Sequence, residues 1–368
     1  MPDGQPIQMV RRIIDGDGDT HISRKKHRSR FILLSGVVLT FILALASICI
    51  GQTSILSPID AISSLFSAIG KGGEGLQGTE ILVYEDRLPR TLMTIGVGIG
   101  LSIAGATYQA LIRNPLVDPY IMGVSSGAGT FAIAVIGFNF TFFGLISIHS
   151  EYLTAFAAIF GGLLAFAATM LLARAAGRTT NGYLLSGVII GLLFSAVQTS
   201  MIKFMGHKVS NSMAWLFGSF SNATLTQSII VIVAAAILVT LLMTKAKELN
   251  LVLLGENEAR QMGLDVKRFN TIMLILASIL ASFCVAFCGI IGFVGLVVPH
   301  LCRMIFGGDH RLVMPASIAF GGAMMILADL VARMALHSQE LPVGAITTLI
   351  GVPVFAYLLI KRGKIYNG

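Results

Sequence analysis

The chain has 368 residues, of which 55% are hydrophobic and only 12% are charged, and its formal net charge is +8. An average soluble domain carries about 25% charged residues, so this composition excludes an ordinary soluble protein. It also argues against nucleic-acid binding, because excess Lys and Arg in a membrane protein mainly marks cytoplasmic loops. The repeated apolar runs instead predict an all-α, polytopic membrane protein.

Residues 1–30 are polar and basic, and we expect a disordered cytoplasmic tail whose end meets the lipid headgroups. A transmembrane domain at 31–361 with about ten transmembrane helices follows, and 362–368 form a second cytoplasmic tail. The predicted spans are 31–51, 91–111, 119–137, 152–173, 183–203, 227–244, 270–289, 293–306, 312–336 and 343–361. The eighth span is short and contains Pro299, which predicts a kinked or partial crossing.

The distribution of Lys and Arg predicts the orientation of the chain. With the N-terminus inside, most basic residues fall in cytoplasmic segments, and the outer loops around 138–151, 289–293 and 337–342 have none. An even number of spans with both termini in the cytoplasm satisfies this pattern. Glycine pairs four residues apart predict close helix packing. They are Gly96 and Gly100, Gly123 and Gly127, and Gly187 and Gly191.

A polar stretch, LGENEARQMGLDVKRF (254–269), interrupts the apolar pattern between the sixth and seventh spans. Its composition is that of an amphipathic helix, with glycines that would break it at positions 255 and 263. The pattern predicts two short helices with a turn, at about 251–268, lying across the cytoplasmic face. A short helix of this kind typically docks in a groove of a partner, and an ordinary solvated loop is the alternative.

The chain contains no motif that would supply energy or covalent chemistry. It lacks the phosphate-binding G-x-x-x-x-G-K-[ST] pattern, and its spans hold no array of carboxylates for a proton or sodium relay. Asp329 is the clearest intramembrane acid, and its i, i+4 spacing to Arg333 predicts an ion pair. His300 and His310 are expected to be hydrogen-bonded, so neither a metal site nor a cofactor is expected.

Three long segments carry a resemblance to a known family. They begin EDRLPRTLMTIGVG at residue 85, GIIGFVGLVVPHLCR at residue 289 and ELPVGAITTLIGVPVF at residue 340. Over about residues 31–361 the chain resembles the FecCD/BtuC-type ABC importer permeases. The resemblance implies ten helices per subunit, a homodimer with the path between subunits, two ATP-binding ATPase subunits, and an extracytoplasmic substrate-binding protein, all at the cell (inner/cytoplasmic) membrane.

The resemblance also implies site residues. The ATPase-coupling residues would be Leu254, Gly255, Glu258, Ala259, Met262 and Gly263. The docking residues for the binding protein would be Arg87, Arg90 and Arg333. Reversing the charge at Arg87 together with Arg90 is expected to weaken docking while leaving stability near normal. Arginines in the first turn of a helix oppose its dipole, which favours a partner of opposite charge, although snorkelling to headgroups is an alternative. Thr180 and Asn181 would form a cytoplasmic gate, or else cap a helix.

These observations predict the membrane-spanning subunit of an ATP-driven importer of metal chelates: ferric siderophore, haem or cobalamin. The chain would be a transport subunit and not an enzyme. An ion-coupled secondary transporter is the alternative, and it requires unpaired acids near the middle of the membrane. An intramembrane enzyme would require a convergent group of reactive side chains, for which only His300 and Asp329 are candidates.

Overall fold

The structure is a computed structural model that describes residues 29–52, 54–138, 150–206, 209–336 and 339–366. Within these ranges every regular element is a helix, and the only β-type pairing is an isolated bridge between Ile50 and Ile55. The prediction of an all-α protein is therefore confirmed.

The helices follow one another through mostly short connections. In chain order they are α1 (Ser29–Cys49), α2 (Pro58–Gly70), α3 (Thr79–Ile81), α4 (Leu88–Leu111), α5 (Val124–Phe138), α6 (Ser150–Ala175), α7 (Thr180–Lys203), α8 (Val209–Leu216), α9 (Leu225–Thr244), α10 (Ala246–Leu254), α11 (Glu256–Gln261), α12 (Val266–Cys288), α13 (Val294–Phe306), α14 (His310–Met334) and α15 (Val343–Tyr366). A π-helical turn, Leu82–Arg87, joins α3 to α4, so the chain is helical for 33 residues from Thr79 to Leu111.

All ten predicted spans coincide with helices. By length and composition, seven helices of the described residues can cross a membrane: α1, the Thr79–Leu111 unit, α6, α7, α9, α12 and α14. The other three predicted spans correspond to α5, α13 and α15. α13 has only 13 residues and contains Pro299, in line with the short eighth span. The count of ten crossings stays a prediction.

The two predicted tails are only partly within the described residues. Residues 1–28 lie outside them, and α1 already begins at Ser29. α15 continues to Tyr366, so the predicted tail at 362–368 starts as an extension of the last helix.

Several helices lie outside the predicted spans. α2 and α8 were not predicted, and the second span begins well before residue 91, because the helix starts at Thr79. Glu85, Asp86 and Arg87 make that first part too polar for a hydropathy window. A helix that extends beyond the hydrocarbon can nevertheless carry charged residues into the headgroups and water.

α4 is the central helix of the subunit and packs against α9, α12, α13 and α14. In the apolar part of its unit 83% of the residues are buried, against 11% in α1 and in α7. A Cβ atom on Gly98 would overlap the carbonyl oxygen of Gly321 in α14, and one on Gly105 would overlap that of Gly295 in α13. Glycine is therefore required at these crossings, where two backbones meet.

The predicted packing of small residues is confirmed at several glycines. A Cβ on Gly100 would overlap the Cys284 sulfur of α12, and one on Gly127 would overlap the carbonyl oxygen of Gly161 in α6. Gly187 approaches the carbonyl oxygen of Ile121 in the same way. Small residues thus set the distances between α4, α5, α6, α7 and α12.

Candidate functional site

α4 places the two groups of predicted site residues at opposite ends of the subunit. The helix has 24 residues, which corresponds to about 36 Å. Arg87 and Arg90 lie at its beginning, whereas Arg113 follows its last turn and lies 3.8 Å from Glu256 of α11. The arginines predicted to dock a binding protein and the stretch predicted to couple to an ATPase therefore lie at opposite ends of the subunit.

The coupling stretch forms two short helices with a sharp turn, as predicted. α10 ends at Leu254, α11 begins at Glu256, and Gly255 between them has φ 138° and ψ 155°. Residues with a Cβ atom rarely adopt this φ. The Glu258 carboxylate also lies directly over Gly255, where it would overlap a Cβ. Glycine is therefore needed for both the backbone and the position of Glu258.

The second break occurs at Gly263, which has φ 85°. The N–H of Gly263 donates to the carbonyl of Arg260 (2.9 Å), and that of Leu264 donates to the carbonyl of Ala259 (3.1 Å). This pair of bonds is a Schellman motif, in which glycine in the left-handed conformation ends a helix. Both predicted breaks thus have a defined backbone geometry.

The apolar residues of the coupling stretch divide into an inner and an outer set. Ala259 is fully buried and fixes α11 against the rest of the chain, whereas Leu254 and Met262 are each 71% exposed. Single exposed apolar residues are common on proteins. Two of them on a short, glycine-bounded helical hairpin give a surface that suits insertion into an apolar groove of a partner.

A polar contact ties α10 to the beginning of α14. The Asn250 amide donates to Asp309 Oδ1 (2.7 Å), and its oxygen accepts from the backbone N–H of His310 (2.8 Å) and lies 3.0 Å from His310 Nδ1. Burial raises the pKa of Asp309, but bonds from the Arg311 N–H and Asn250 outweigh it and hold the pKa below its usual value. Asp309 therefore remains an anionic cap at physiological pH, and His310 is hydrogen-bonded as expected.

The predicted gate residues lie at the beginning of α7. The helix cap is Thr179, whose hydroxyl accepts from the N–H of Gly182 (3.0 Å), so neither Thr180 nor Asn181 caps the helix. The Thr180 hydroxyl donates to the carbonyl of Ile112 just after α4 (3.1 Å), and Asn181 is exposed. Both lie near the end of α4 that is predicted to be cytoplasmic, and their gating role stays a prediction.

Arg90 is the centre of a buried ion cluster at the opposite end. Its Nε and Nη2 donate to Asp329 at 2.9–3.1 Å, and its Nη1 and Nη2 donate to the two oxygens of Glu340 at 2.8 and 3.0 Å. Arg333 adds the predicted pair with Asp329 at 3.1 Å. Two arginines thus face two carboxylates, and the cluster carries no net charge.

Arg87 and Arg333 also bind the end of α1. Arg87 donates to the carbonyls of Ile48 and Cys49 and to Ser54 at 2.7–2.9 Å. Arg333 donates to the Ser47 hydroxyl (2.7 Å) and to the carbonyl of Ile50 (3.0 Å). The last carbonyls of a helix lack internal partners, and a cation beside them is stabilising.

The three docking arginines are therefore buried, with exposures of 1% for Arg87, 4% for Arg90 and 3% for Arg333. Substitution of Arg90 or Arg333 should destabilise the subunit, because breaking a buried ion pair leaves an uncompensated charge. Substitution of Arg87 should also destabilise it, because the partly buried carbonyl of Ile48 and the buried carbonyl of Cys49 would lose these hydrogen bonds. This corrects the expectation of near-normal stability. The docking role itself stays a prediction, and it now requires that a guanidinium exchange one of its present partners.

Sequence reasoning assigned no role to Glu340 or Asn250. Glu340 lies in a loop that was predicted to face outward, and a lone acid there gives no local signal of a distant partner. Asn250 contacts residues that are 59 and 60 positions away. The one sequence signal that could have pointed to Glu340 is that it is an acid without a nearby base in an otherwise uncharged loop.

Comparisons with known proteins agree with this architecture. The pattern of the FecCD transport family matches residues 38–361. The vitamin B12 import system permease protein BtuC of Vibrio cholerae is 34% identical over 343 residues, or 93% of this chain and 96% of that protein. BtuC of Salmonella typhi is 35% identical over 348 residues, or 94% and 99%. An inward-facing structure of an ABC transporter assigned to the metal-chelate type is 29% identical, with a TM-score of 0.76 over 90% of this chain and 99% of that one.

The family match covers most of the chain, and the similarity to each BtuC protein extends over nearly the whole length of both proteins. The fold of the solved transporter agrees with the helical arrangement described above. The chain therefore belongs to the FecCD transport family and is a multi-pass membrane permease subunit of an ABC transporter.

Proposed function

We propose that the chain carries metal chelates, of the ferric siderophore, haem or cobalamin type, into the cytoplasm as part of an ATP-driven importer. Two relatives import vitamin B12, and the structural relative is assigned to the metal-chelate type. Both lines support a large chelate as the cargo. The subunit performs no covalent chemistry, and ATP is hydrolysed on a separate partner chain.

The exposed pair Leu254 and Met262 on the hairpin of α10 and α11 is the observation that carries this proposal. Leu254, Gly255, Glu258, Ala259, Met262 and Gly263 form the coupling surface for the ATPase. Asn250 passes movement of α10 to α14, and α14 packs along α4. A push on the cytoplasmic hairpin can therefore reach the opposite end of the subunit through two packed helices.

The path for the chelate lies between two copies of the chain in a homodimer. α7 supports this assignment because only 11% of the residues in its most apolar stretch are buried. It also carries exposed hydroxyls at Thr199 and Ser200. Thr180 and Asn181 at its cytoplasmic end form the inner gate. The dimer lies in the cell (inner/cytoplasmic) membrane, with both termini and two ATPase subunits on the cytoplasmic side.

An extracytoplasmic substrate-binding protein docks at the end that carries Arg87, Arg90 and Arg333. Glu340 is the most accessible partner in the cluster, since its side chain is 23% exposed whereas that of Asp329 is 0% exposed. A carboxylate of the binding protein would take the place of Glu340 on Arg90. Charges at such a rim set orientation and association rate more than affinity.

Co-purification of the ATPase tests the coupling role. Replacing Leu254 and Met262 together with Asp should release the ATPase and abolish ATP-driven uptake in proteoliposomes, because two carboxylates would have to be buried in the apolar contact. Thermal stability should change little, since both positions are exposed. Met334→Asp is the matched control, as Met334 is a half-exposed apolar residue at the other end of α14.

Retention of the ATPase by the double variant at the wild-type ratio would contradict the coupling assignment. Chelate uptake by the permease without any ATPase would favour the ion-coupled secondary transporter. Asp329, the acid predicted to lie within the membrane, gives that alternative no support, because it is paired with both Arg90 and Arg333.

A further inference from the structure

A helix at the docking end carries an apolar stripe that no described part of the chain covers. In α2, Ile59, Ile62, Phe66 and Ile69 recur at intervals of three and four residues, so they share one helix face. All four are exposed, from 42% for Ile62 to 79% for Ile59, and Phe66 is 70% exposed. A stripe of four large apolar residues differs from the scattered apolar residues of a normal surface.

The rest of α2 divides into two further faces. A buried face of small residues packs against α3 and the π-helical turn, and a polar face lies on the other side of the stripe. The buried face is Ala61, Ser64 and Ala68, and the polar face is Asp60, Ser63 and Ser67. An apolar stripe between a protein-contacting face and a polar face is the arrangement of a helix that lies in a membrane interface.

Polar contacts fix the rotation of α2 about its axis. The Ser64 hydroxyl lies 3.0 Å from that of Thr79, and Lys71 Nζ lies 2.6 Å from Glu80 Oε2. The Glu80 carboxylate also accepts from the Ser67 hydroxyl (2.6 Å) and from the Gln77 N–H (3.1 Å). These bonds tie α2 to α3, so the stripe keeps its direction.

The depth of α2 follows from its connection to α1. α1 has 21 residues, or about 31 Å, which matches the thickness of the hydrocarbon core. The bridge between Ile50 and Ile55 and the bond from Arg87 to the carbonyl of Ser54 hold the connecting turn at the end of α1. α2 therefore begins at the boundary between hydrocarbon and headgroups.

The exposed surface of α1 indicates what covers the stripe. Its exposed large residues from Phe31 to Ile42 are apolar, and the hydroxyl of Ser35 is bonded to the carbonyl of Ile32 of the same helix (2.8 Å). Ile55, 71% exposed, continues this surface towards Ile59.

We propose that α2 is an interfacial membrane helix whose residues Ile59, Ile62, Phe66 and Ile69 contact the acyl chains of the outer leaflet. The lipid surface of α1 continues over the turn onto this stripe, while Asp60, Ser63 and Ser67 face water. The helix fastens the docking end of the subunit to the membrane, because α2 and the arginine cluster are joined through the π-helical turn that ends at Arg87. This inference does not depend on the cargo or on ATP.

Spin labels on opposite faces of α2 test this inference. All four native cysteines are buried, so Phe66→Cys and the matched polar-face variant Ser63→Cys can each be labelled in the full chain. The protein is placed in nanodiscs of phosphatidylethanolamine and phosphatidylglycerol. We expect the ratio of oxygen to aqueous nickel-complex accessibility to be several-fold higher at position 66 than at position 63.

Three outcomes would overturn the proposal. Equal, water-like accessibility at both positions would show that the stripe is not in lipid. Dipolar broadening between labels at position 66 of two copies would assign the stripe to a second copy of the chain. Loss of oxygen accessibility at position 66 on addition of the substrate-binding protein would assign it to that protein. Each label reports without transport activity, so failure of the importer assignment would not affect the result.

Discussion

The two ends of α4 present opposite kinds of surface. At the predicted cytoplasmic end, Leu254 and Met262 are apolar and 71% exposed, and Glu256 forms exposed ion pairs with Arg260 (3.2 Å) and Arg113 (3.8 Å). At the docking end the charges are buried, and Arg90 is 4% exposed with two carboxylate partners. In the isolated subunit the first end exposes apolar side chains that a partner can cover. The charged groups of the second end are already paired within the subunit.

The difference fits two kinds of contact. In the proposed assembly the ATPase would contact Leu254 and Met262, whose apolar side chains are exposed without any rearrangement. The proposed binding protein would meet charges that exchange partners, since such charges govern orientation and association rate. Buried arginines also hold α1, α4 and α14 together, so docking at that end can act on the packing of the spans themselves.

The largest expected effect on stability is the difference between Arg90→Ala and Arg113→Ala. Removal of Arg90 leaves Asp329 with one partner and Glu340 with none that the structure shows, and breaking a buried pair typically costs about 3–5 kcal/mol. Arg113 and Glu256 are each more than 40% exposed, and such a pair contributes about 0–1 kcal/mol. Thermal unfolding of both variants in lipid nanodiscs measures the two effects. Equal loss of stability would mean that burial does not distinguish the two ends.

Local patterns in the sequence predicted one end of the molecule better than the other. Gly255 and Gly263 are breaks that can be recognised within a few residues, and the Asp329–Arg333 pair follows from helical spacing. By contrast, Arg90 meets Asp329 and Glu340 across 239 and 250 positions, and burial of an arginine has no local signature. α2 was missed because its 13 residues are too few to cross a membrane, so a span-length hydropathy window averages the stripe with the polar residues that follow it.

Gly255→Ala compared with Gly308→Ala tests the cytoplasmic end. A residue with a Cβ at φ 138° is strained by roughly 1–3 kcal/mol, and the Glu258 carboxylate would also be displaced. The turn between α10 and α11 should open, and retention of the ATPase and uptake should both fall. Gly308 lies in a nearby loop where a Cβ would meet nothing within 4 Å, so its variant should behave as wild type. Normal uptake by Gly255→Ala would show that the shape of the hairpin is unimportant.

Glu340→Ala gives the smallest change and the sharpest test of exchange at the docking end. Glu340 is partly exposed, and Arg90 keeps its bonds to Asp329, so the stability loss should be about 1 kcal/mol. Two donors on Arg90 become available to a carboxylate of the binding protein, and association should become faster, with an effect that weakens in high salt. Surface plasmon resonance on immobilised nanodiscs gives the association rate.

Glu74→Ala removes an exposed charge on the same side without releasing Arg90, so it controls for net charge. Equal acceleration by both variants would mean that the effect is general electrostatic steering. Slower association in Glu340→Ala alone would mean that Glu340 itself contacts the binding protein and does not merely occupy the site on Arg90 that the binding protein takes.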